Sequence, residues 1–137
     1  MHFDIGRLSE GKETVLEEEW DAASFDLNAP SWRFTGAVRV TARARRDAAI
    51  ARVALEVSAP LSAVCGRCGR VFDVAYRHAA ELIYPAEAGA VVLDEDIRSE
   101  ILLAFPQQVL CSDACRGLCP RCGADLNREK CTCAVVP

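Results

Sequence analysis

The sequence contains little of what membrane, exported and histidine-dependent catalytic proteins need. Its longest apolar runs, such as residues 101–105, are only a few residues long, whereas a membrane helix needs about 20. The N-terminus lacks the basic and then apolar layout of a signal peptide, so export is not expected. Only two histidines are present, His2 and His78. A Ser-His-Asp set, a phosphate-binding glycine loop and a His-carboxylate metal site are all missing, so we expect no enzyme and no small-molecule substrate.

Alternating apolar and polar residues predict a sheet. The 137 residues are 51% hydrophobic and 26% charged, which is enough for a globular core. Strong alternation predicts strands over residues 38–45, 51–57 and 72–84, with a turn at Arg46-Asp47 and Pro60 interrupting or ending the second strand. The third strand puts His78 on its apolar face, where a core or edge histidine is a better interpretation than a ligand. Weaker patterns predict a strand over residues 15–20 and a short strand near Phe3 and Ile5.

Only one segment has a clear helical period. Ile97, Ile101, Leu102 and Phe105 form an apolar stripe, and Pro106 stops it. The acidic residues 94–96 suit the N-cap and the first turn. We therefore predict an α+β, mostly β fold: an antiparallel sheet or partly open barrel with one main helix and a C-terminal cysteine-rich tail. The expected boundaries are residues 1–110 for the β domain, with its helix near 95–105, and residues 111–137 for the tail packed on it.

The net charge of −4 is unevenly distributed. Residues 1–32 carry −6, residues 33–78 carry +6, and residues 79–137 carry −4. The basic middle has two interpretations: a surface that binds a polyanion, or a solvated strand face whose arginines pair with the acidic flanks. If this region binds RNA, the best candidates for phosphate contacts are three arginines that lie side by side on one strand face, Arg39, Arg43 and Arg45. Two arginines inside cysteine motifs, Arg67 and Arg121, come second.

The eight cysteines form four close pairs: Cys65/Cys68, Cys111/Cys115, Cys119/Cys122 and Cys131/Cys133. Two pairs share one pattern, C-G-R-C-G at residues 65–69 and C-P-R-C-G at residues 119–123. In this zinc knuckle two thiolates reach one ion across a tight turn, and the trailing glycine can take a positive φ. In a chain that is not exported, such clusters favour metal ligation over disulfides.

Eight thiolates fill two tetrahedral sites, which are structural because no position stays open for water. We favour zinc over an iron–sulfur cluster, and a redox pair lacks the expected βαβ context. Three pairings are open. The favoured one joins the last four cysteines locally and Cys65/Cys68 with Cys111/Cys115. The others are Cys65/Cys68 with Cys119/Cys122, or a single local ion on residues 111–122.

The tail reads C-S-D-A-C-R-G-L-C-P-R-C-G-A-D-L-N-R-E-K-C-T-C over residues 111–133. This run resembles the YceD family, as do the upstream C-G-R-C element with Phe72 and the acidic helical segment ending at Phe105-Pro106. The resemblance covers residues 35–133, and Gly69 departs from it where leucine is common. Some family members lack the last four cysteines, which favours the first pairing.

The resemblance implies a non-enzymatic, cytoplasmic factor for large ribosomal subunit biogenesis that supports 23S ribosomal RNA synthesis, processing or accumulation. Its expected partner is ribosomal RNA or a large-subunit assembly intermediate, with a large-subunit ribosomal protein as a further candidate and no membrane. The alternative is a zinc-stabilised protein adaptor without direct RNA contact.

Overall fold

The computed structural model describes residues 1–133, so residues 134–137 of the predicted tail lie outside the described residues. A short 3₁₀ turn, Ile5–Arg7, follows the first strand. The chain otherwise contains seven strands and one helix over this range: β1 (His2–Asp4), β2 (Glu13–Trp20), β3 (Trp32–Phe34), β4 (Val38–Asp47), β5 (Ile50–Val64), β6 (Val71–Pro85), β7 (Ala90–Val92) and α1 (Asp94–Ala104).

Five strands form one antiparallel sheet around the long strand β5. On one side β5 pairs with β4 over residues 50–58 and with β3 over residues 61–63, while β6 pairs along its whole other side. β2 adds outside β4, and β1 pairs with β7 in a separate two-stranded sheet. The predicted mostly β fold with one helix is confirmed. Within residues 1–133 the sheet stays open between β2 and β6, so the sheet rather than the barrel forms.

The prediction that Pro60 interrupts or ends its strand is wrong, because β5 continues to Val64. The Pro60 carbonyl accepts a hydrogen bond from the N–H of Thr35, 3.0 Å away. This side of Pro60 therefore faces the short gap between the part of β5 that pairs with β4 and the part that pairs with β3. In an extended strand the nitrogen and carbonyl of one residue point to the same side. The missing N–H therefore falls where no ladder bond is needed.

The first hairpin turns two residues later than predicted. Asp47 pairs with Ile50, so Ala48 and Ala49 form the turn instead of Arg46-Asp47. Ala48 has a φ of 51°, a left-handed conformation that a non-glycine residue adopts at a cost. The turn was predicted too early because residues 45–47 are polar, although they still belong to β4.

The helix packs on the inner face of the sheet, beside β6. Ile97 and Ile101 are fully buried, as the stripe predicted. Leu93 is the N-cap and makes no side-chain capping bond, so the acidic residues 94–96 occupy only the first turn. Phe105 lies just beyond the helix and stacks on Trp32, with ring centroids 3.8 Å apart.

Two further contacts connect the helix to β6. His78 Nε2 lies 3.4 Å from Glu100 Oε2, and the Tyr84 hydroxyl donates to Asp96. Burial, together with the nearby Asp96, raises the pKa of Tyr84. None of the described residues forms a helix with the length and apolarity that crossing a bilayer requires.

Candidate metal centres

The two C-x-x-C-G motifs fold into equivalent knuckles. In the first, the N–H of Cys65 bonds to the carbonyl of Arg70 at 2.8 Å, and Gly69 donates back to Cys65 at 2.9 Å. The second repeats both bonds at the same spacing, over residues 119–124, at 2.8 and 2.9 Å. Gly69 and Gly123 have φ values of 72° and 74°, so the prediction that the trailing glycines take a positive φ is confirmed.

The first group of thiols, here called the sheet centre, comprises Cys65, Cys68, Cys111 and Cys115. It joins the end of β5 and the following knuckle to a segment 43 or more residues further along the chain. The N–H of Gly66 bonds to the carbonyl of Val109 at 2.9 Å, which holds the two segments together. Three of the thiols are buried and pack against Phe72 and Leu110. The sheet centre therefore ties the tail to the sheet.

The second group, here called the tail centre, comprises Cys119, Cys122, Cys131 and Cys133. All four belong to one fifteen-residue segment. Cys119 is buried, whereas Cys122 is exposed and Cys131 and Cys133 are half-buried, so this group is more open to solvent than the sheet centre. Cys131 Sγ is central, 3.2 Å from Cys119 Sγ and 3.5 Å from Cys122 Sγ. The thiols are thus grouped as in the favoured pairing, and the two other pairings do not match this geometry.

Both clusters fit a tetrahedral ion. Four sulfurs at about 2.3 Å from zinc stand about 3.8 Å apart along each edge of the tetrahedron. In the sheet centre the Sγ atoms of Cys65 and Cys115 are 3.7 Å apart, and those of Cys68 and Cys111 are 3.8 Å apart. In each group all four sulfurs lie within 4.8 Å of one another. Because a disulfide needs about 2.05 Å, all eight are free thiols placed for ligation.

The electrostatics of each cluster suit a cation. Backbone N–H groups, first that of Cys68, lower the pKa of Cys65 to about 6. In the tail centre the N–H of Cys122 leads a similar set that lowers the pKa of Cys119 to about 6. Burial, with the neighbouring thiols, raises the pKa of Cys111 to about 12. One thiolate in each group thus forms readily and opposes the next deprotonation, a repulsion that a bound cation offsets.

Asn127 is a site residue that the sequence reasoning missed. It lies in the loop of the tail centre, yet its Nδ2 donates to Cys115 Sγ of the sheet centre at 3.4 Å. Its Oδ1 accepts from the N–H of Arg116 at 2.8 Å. The L-N pair of the tail motif was the only signal in the sequence that pointed to this residue.

The structure places the three strand arginines in ion pairs. Arg39 contacts Glu19 at 3.2 Å, Arg43 contacts Glu13 at 3.5 Å, and Arg45 contacts Asp47 at 3.3 Å. All are exposed, so each pair contributes only about 0–1 kcal/mol and can exchange partners.

The two knuckle arginines differ from each other. The Nη1 of Arg67 donates to the carbonyl of Cys115 at 3.1 Å, so this side chain braces the sheet centre. Arg121 is exposed in the second knuckle, and its backbone N–H contributes to lowering the pKa of Cys119.

Fold and site define a mostly β protein with two four-thiol centres, one of which attaches its tail to its sheet. A family model described as "Large ribosomal RNA subunit accumulation protein YceD" matches residues 78–136. The resemblance to the YceD family is therefore confirmed over the helix and the tail. Cys65 and Cys68 lie before the matched residues, so half of the sheet centre comes from outside them.

One curated relative gives the same family name. The chloroplastic Large ribosomal RNA subunit accumulation protein YCED homolog 1 of Arabidopsis thaliana is 36% identical over 53 residues. These are 39% of this chain and 16% of the relative, so the match spans about a sixth of that protein's length. No solved structure matches. Both names describe accumulation of an RNA and neither names a reaction.

Proposed function

We propose that this protein is a non-enzymatic, zinc-stabilised factor that supports accumulation of large-subunit ribosomal RNA. The observation that carries the proposal is the pair of four-thiol centres, built largely from the segment that matches the YceD model. The proposed metal ligands are the eight cysteines already predicted. Soft thiolates at tetrahedral spacing favour zinc. With four protein ligands each, neither ion would keep an open position for water, which argues for a structural role.

The metal content of the purified protein tests the first part. We expect two zinc ions per chain, and about one in a variant with Cys131→Ser and Cys133→Ser. The matched control is Ser112→Ala, which lies beside a ligand but outside both groups. Iron with acid-labile sulfide in place of zinc would contradict the assignment.

We further propose that the factor contacts ribosomal RNA or a large-subunit precursor in the cytoplasm, and that arginines make the phosphate contacts. The outer face of the sheet is the solvent-exposed side of β2, β4, β5 and β6. Where these strands run side by side, it carries five arginines and six carboxylates: Arg39, Arg43, Arg45, Arg52, Arg77, Glu13, Glu17, Glu19, Asp47, Glu56 and Glu81. The face therefore has no excess of positive charge, and phosphates would have to displace the carboxylates that pair with the arginines.

RNA binding by purified protein tests this surface in both directions. Replacing Arg39, Arg43 and Arg45 by alanine should weaken binding on all sequences and lower the salt slope by about one per lost phosphate contact. Replacing Glu13, Glu17 and Glu19 by glutamine should strengthen binding, because the arginines would then face no carboxylates from β2. If neither triple variant changes the affinity, this face does not bind RNA.

The cellular test is sedimentation of the tagged protein through a sucrose gradient, with fractions probed for the 23S precursor. Co-migration with immature large subunits at low salt, lost at high salt, would support an electrostatic contact. Protein that stays at the top of the gradient at low salt would contradict stable preribosome binding.

The absence of excess positive charge on the outer face favours a second candidate, a protein adaptor without direct RNA contact. In that case the tail and helix would dock on a ribosomal protein or assembly factor. Purified protein that ignores bare ribosomal RNA but binds a large-subunit ribosomal protein would favour the adaptor. The reverse result would favour direct RNA contact.

A further inference from the structure

The two thiol centres share a short piece of chain. Cys115 is the last thiol of the sheet centre and Cys119 the first of the tail centre, so only three residues, 116–118, separate them. Because an ion at either centre fixes one end of this link, its conformation matters to both sites.

The link pairs along its length with the loop of the tail centre. The N–H of Arg116 donates to Asn127 Oδ1 at 2.8 Å, and the carbonyl of Gly117 accepts from the N–H of Leu126 at 3.0 Å. Leu118 forms an antiparallel bridge with Asp125. Residues 125–127 thus pair with residues 116–118 like a miniature strand.

Asn127 extends this pairing to the sheet centre. Its amide uses its oxygen for the link and its nitrogen for Cys115 Sγ, 3.4 Å away. The same nitrogen donates to Asp125 Oδ1 at 3.0 Å, which fixes the orientation of the amide. Hydrogen bonds to ligand atoms from groups outside the ligand set orient the ligands and strengthen metal binding.

The loop that carries Asn127 lies between two ligands of the tail centre, Cys122 and Cys131. An ion at the tail centre would close this loop and hold Asn127 in place. Without that ion, ordering residues 123–130 costs conformational entropy that the sheet centre would have to offset.

We propose that the two centres bind metal cooperatively and that Asn127 is the positioning residue that couples them. The inference rests on the proposed metal binding and goes beyond it, since two independent sites would serve a structural role equally well. Filling the tail centre strengthens the sheet centre, and by linkage the reverse holds with the same factor.

The test is a double-mutant cycle on the full chain loaded with cadmium, with chelator competition followed by cadmium NMR. Each centre gives its own resonance, assigned by its loss in Cys131→Ser/Cys133→Ser or in Cys68→Ser. Disabling the tail centre should weaken the sheet centre about 10–100-fold, the range for loss of a residue that orients a ligand. In Asn127→Ala the sheet centre should already be weak, and disabling the tail centre should add little.

Two further variants serve as a control for the loop and as a test of the hydrogen bond to sulfur. Lys130→Ala alters an exposed residue of the same loop and should leave the coupling intact. Asn127→Asp keeps the acceptor for Arg116 but loses the donor to sulfur, so it should shift the sheet-centre resonance and remove most of the coupling. Far-UV circular dichroism on every variant checks that the sheet is folded.

The outcomes separate the two proposals. Metal at both centres with equal sheet-centre affinity in the presence and absence of the tail centre overturns the coupling and leaves metal binding standing. Coupling that survives Asn127→Ala overturns the role of this residue. A chain that holds no metal at all overturns both.

Discussion

At the scale of single residues, the knuckles depend on backbone conformations that side chains rarely adopt. Gly69 has a φ of 72°, and a Cβ built there meets no heavy atom within 4 Å. The requirement is therefore conformational and not a matter of space. This explains why glycine suits a position at which the family resemblance would have put leucine.

Gly69→Ala should destabilise the first knuckle by about 1–2 kcal/mol, the cost of a left-handed conformation for a residue with a Cβ. We expect the metal-loaded protein to lose its sheet-centre ion at a lower chelator concentration and to unfold at a lower temperature. The matched control is Gly6→Ala, because Gly6 has no positive φ and its Cβ would make an ordinary contact at 3.5 Å. Equal effects of the two substitutions would refute the conformational explanation.

The hairpin turn between β4 and β5 allows the reverse test, in which an alanine with a positive φ is replaced by glycine. Ala48 adopts a φ of 51°, which glycine adopts without strain. Ala48→Gly should therefore raise the free energy of unfolding by up to about 1 kcal/mol, after the larger entropy of the unfolded glycine chain is offset. Thermal or urea unfolding measures this. Ala49→Gly, at the neighbouring turn position without a positive φ, should not stabilise the protein.

At the scale of elements, one face of the helix attaches it to the sheet. Ile101 is fully buried beside β6, whereas Leu103, two residues away on the same helix, is 83% exposed. Ile101→Ala should cost about 2–5 kcal/mol in unfolding free energy, the range for a buried aliphatic truncation. Leu103→Ala should change it by less than about 0.5 kcal/mol. Urea denaturation compares them, and a large effect of Leu103→Ala would mean that this side chain is covered by something.

The strands show how much of the fold the alternation of apolar and polar residues predicts. Residues 38–45, 51–57 and 72–84 were predicted as strands because each alternates over a half-buried face, and β4, β5 and β6 contain them. Periodicity does not reveal which edge of a strand is paired, so the tolerance for Pro60 could not be predicted. Likewise, the glutamates of β2 meet the arginines of β4 only through a register that the sequence does not specify.

For the thiol centres too, local features could be predicted from the sequence and contacts between distant residues could not. Spacing along the chain predicted knuckles and favoured the observed grouping, since short-range ligand pairs are encoded locally. Asn127 was missed because its bond to Cys115 depends on how the tail folds back over twelve residues. Such contacts leave no periodic or compositional signal.

At the scale of the whole molecule, the core and the thiol centres are separate. The main apolar core joins the sheet, the helix and the N-terminal strand, and none of its buried residues is a cysteine. Cys65, Cys68 and Cys115 form their own small cluster with Phe72 and Leu110. The sheet therefore has its own source of stability, whereas the tail contributes no helix or strand to it within the described residues.

Complete metal removal should thus unfold the tail but leave the sheet folded. We expect the chelated protein to keep its β signal in far-UV circular dichroism, because apolar burial in the sheet does not need the ions. The tail should become sensitive to protease from about residue 111 onward, because for a segment without an apolar core of its own the metal-binding free energy is its folding free energy.

Limited trypsin digestion, followed by mass spectrometry, distinguishes the outcomes, since Arg116, Arg121 and Arg128 offer cleavage sites within the tail. Cleavage there after chelation, with the sheet intact and protection restored by added zinc, is the expected result. Cys131→Ser/Cys133→Ser should give partial exposure without chelation, because the tail centre is then disabled and the sheet centre alone must hold the tail. A tail that resists protease after all metal has been removed would show that its fold does not depend on the ions, and would remove the physical basis for two structural centres.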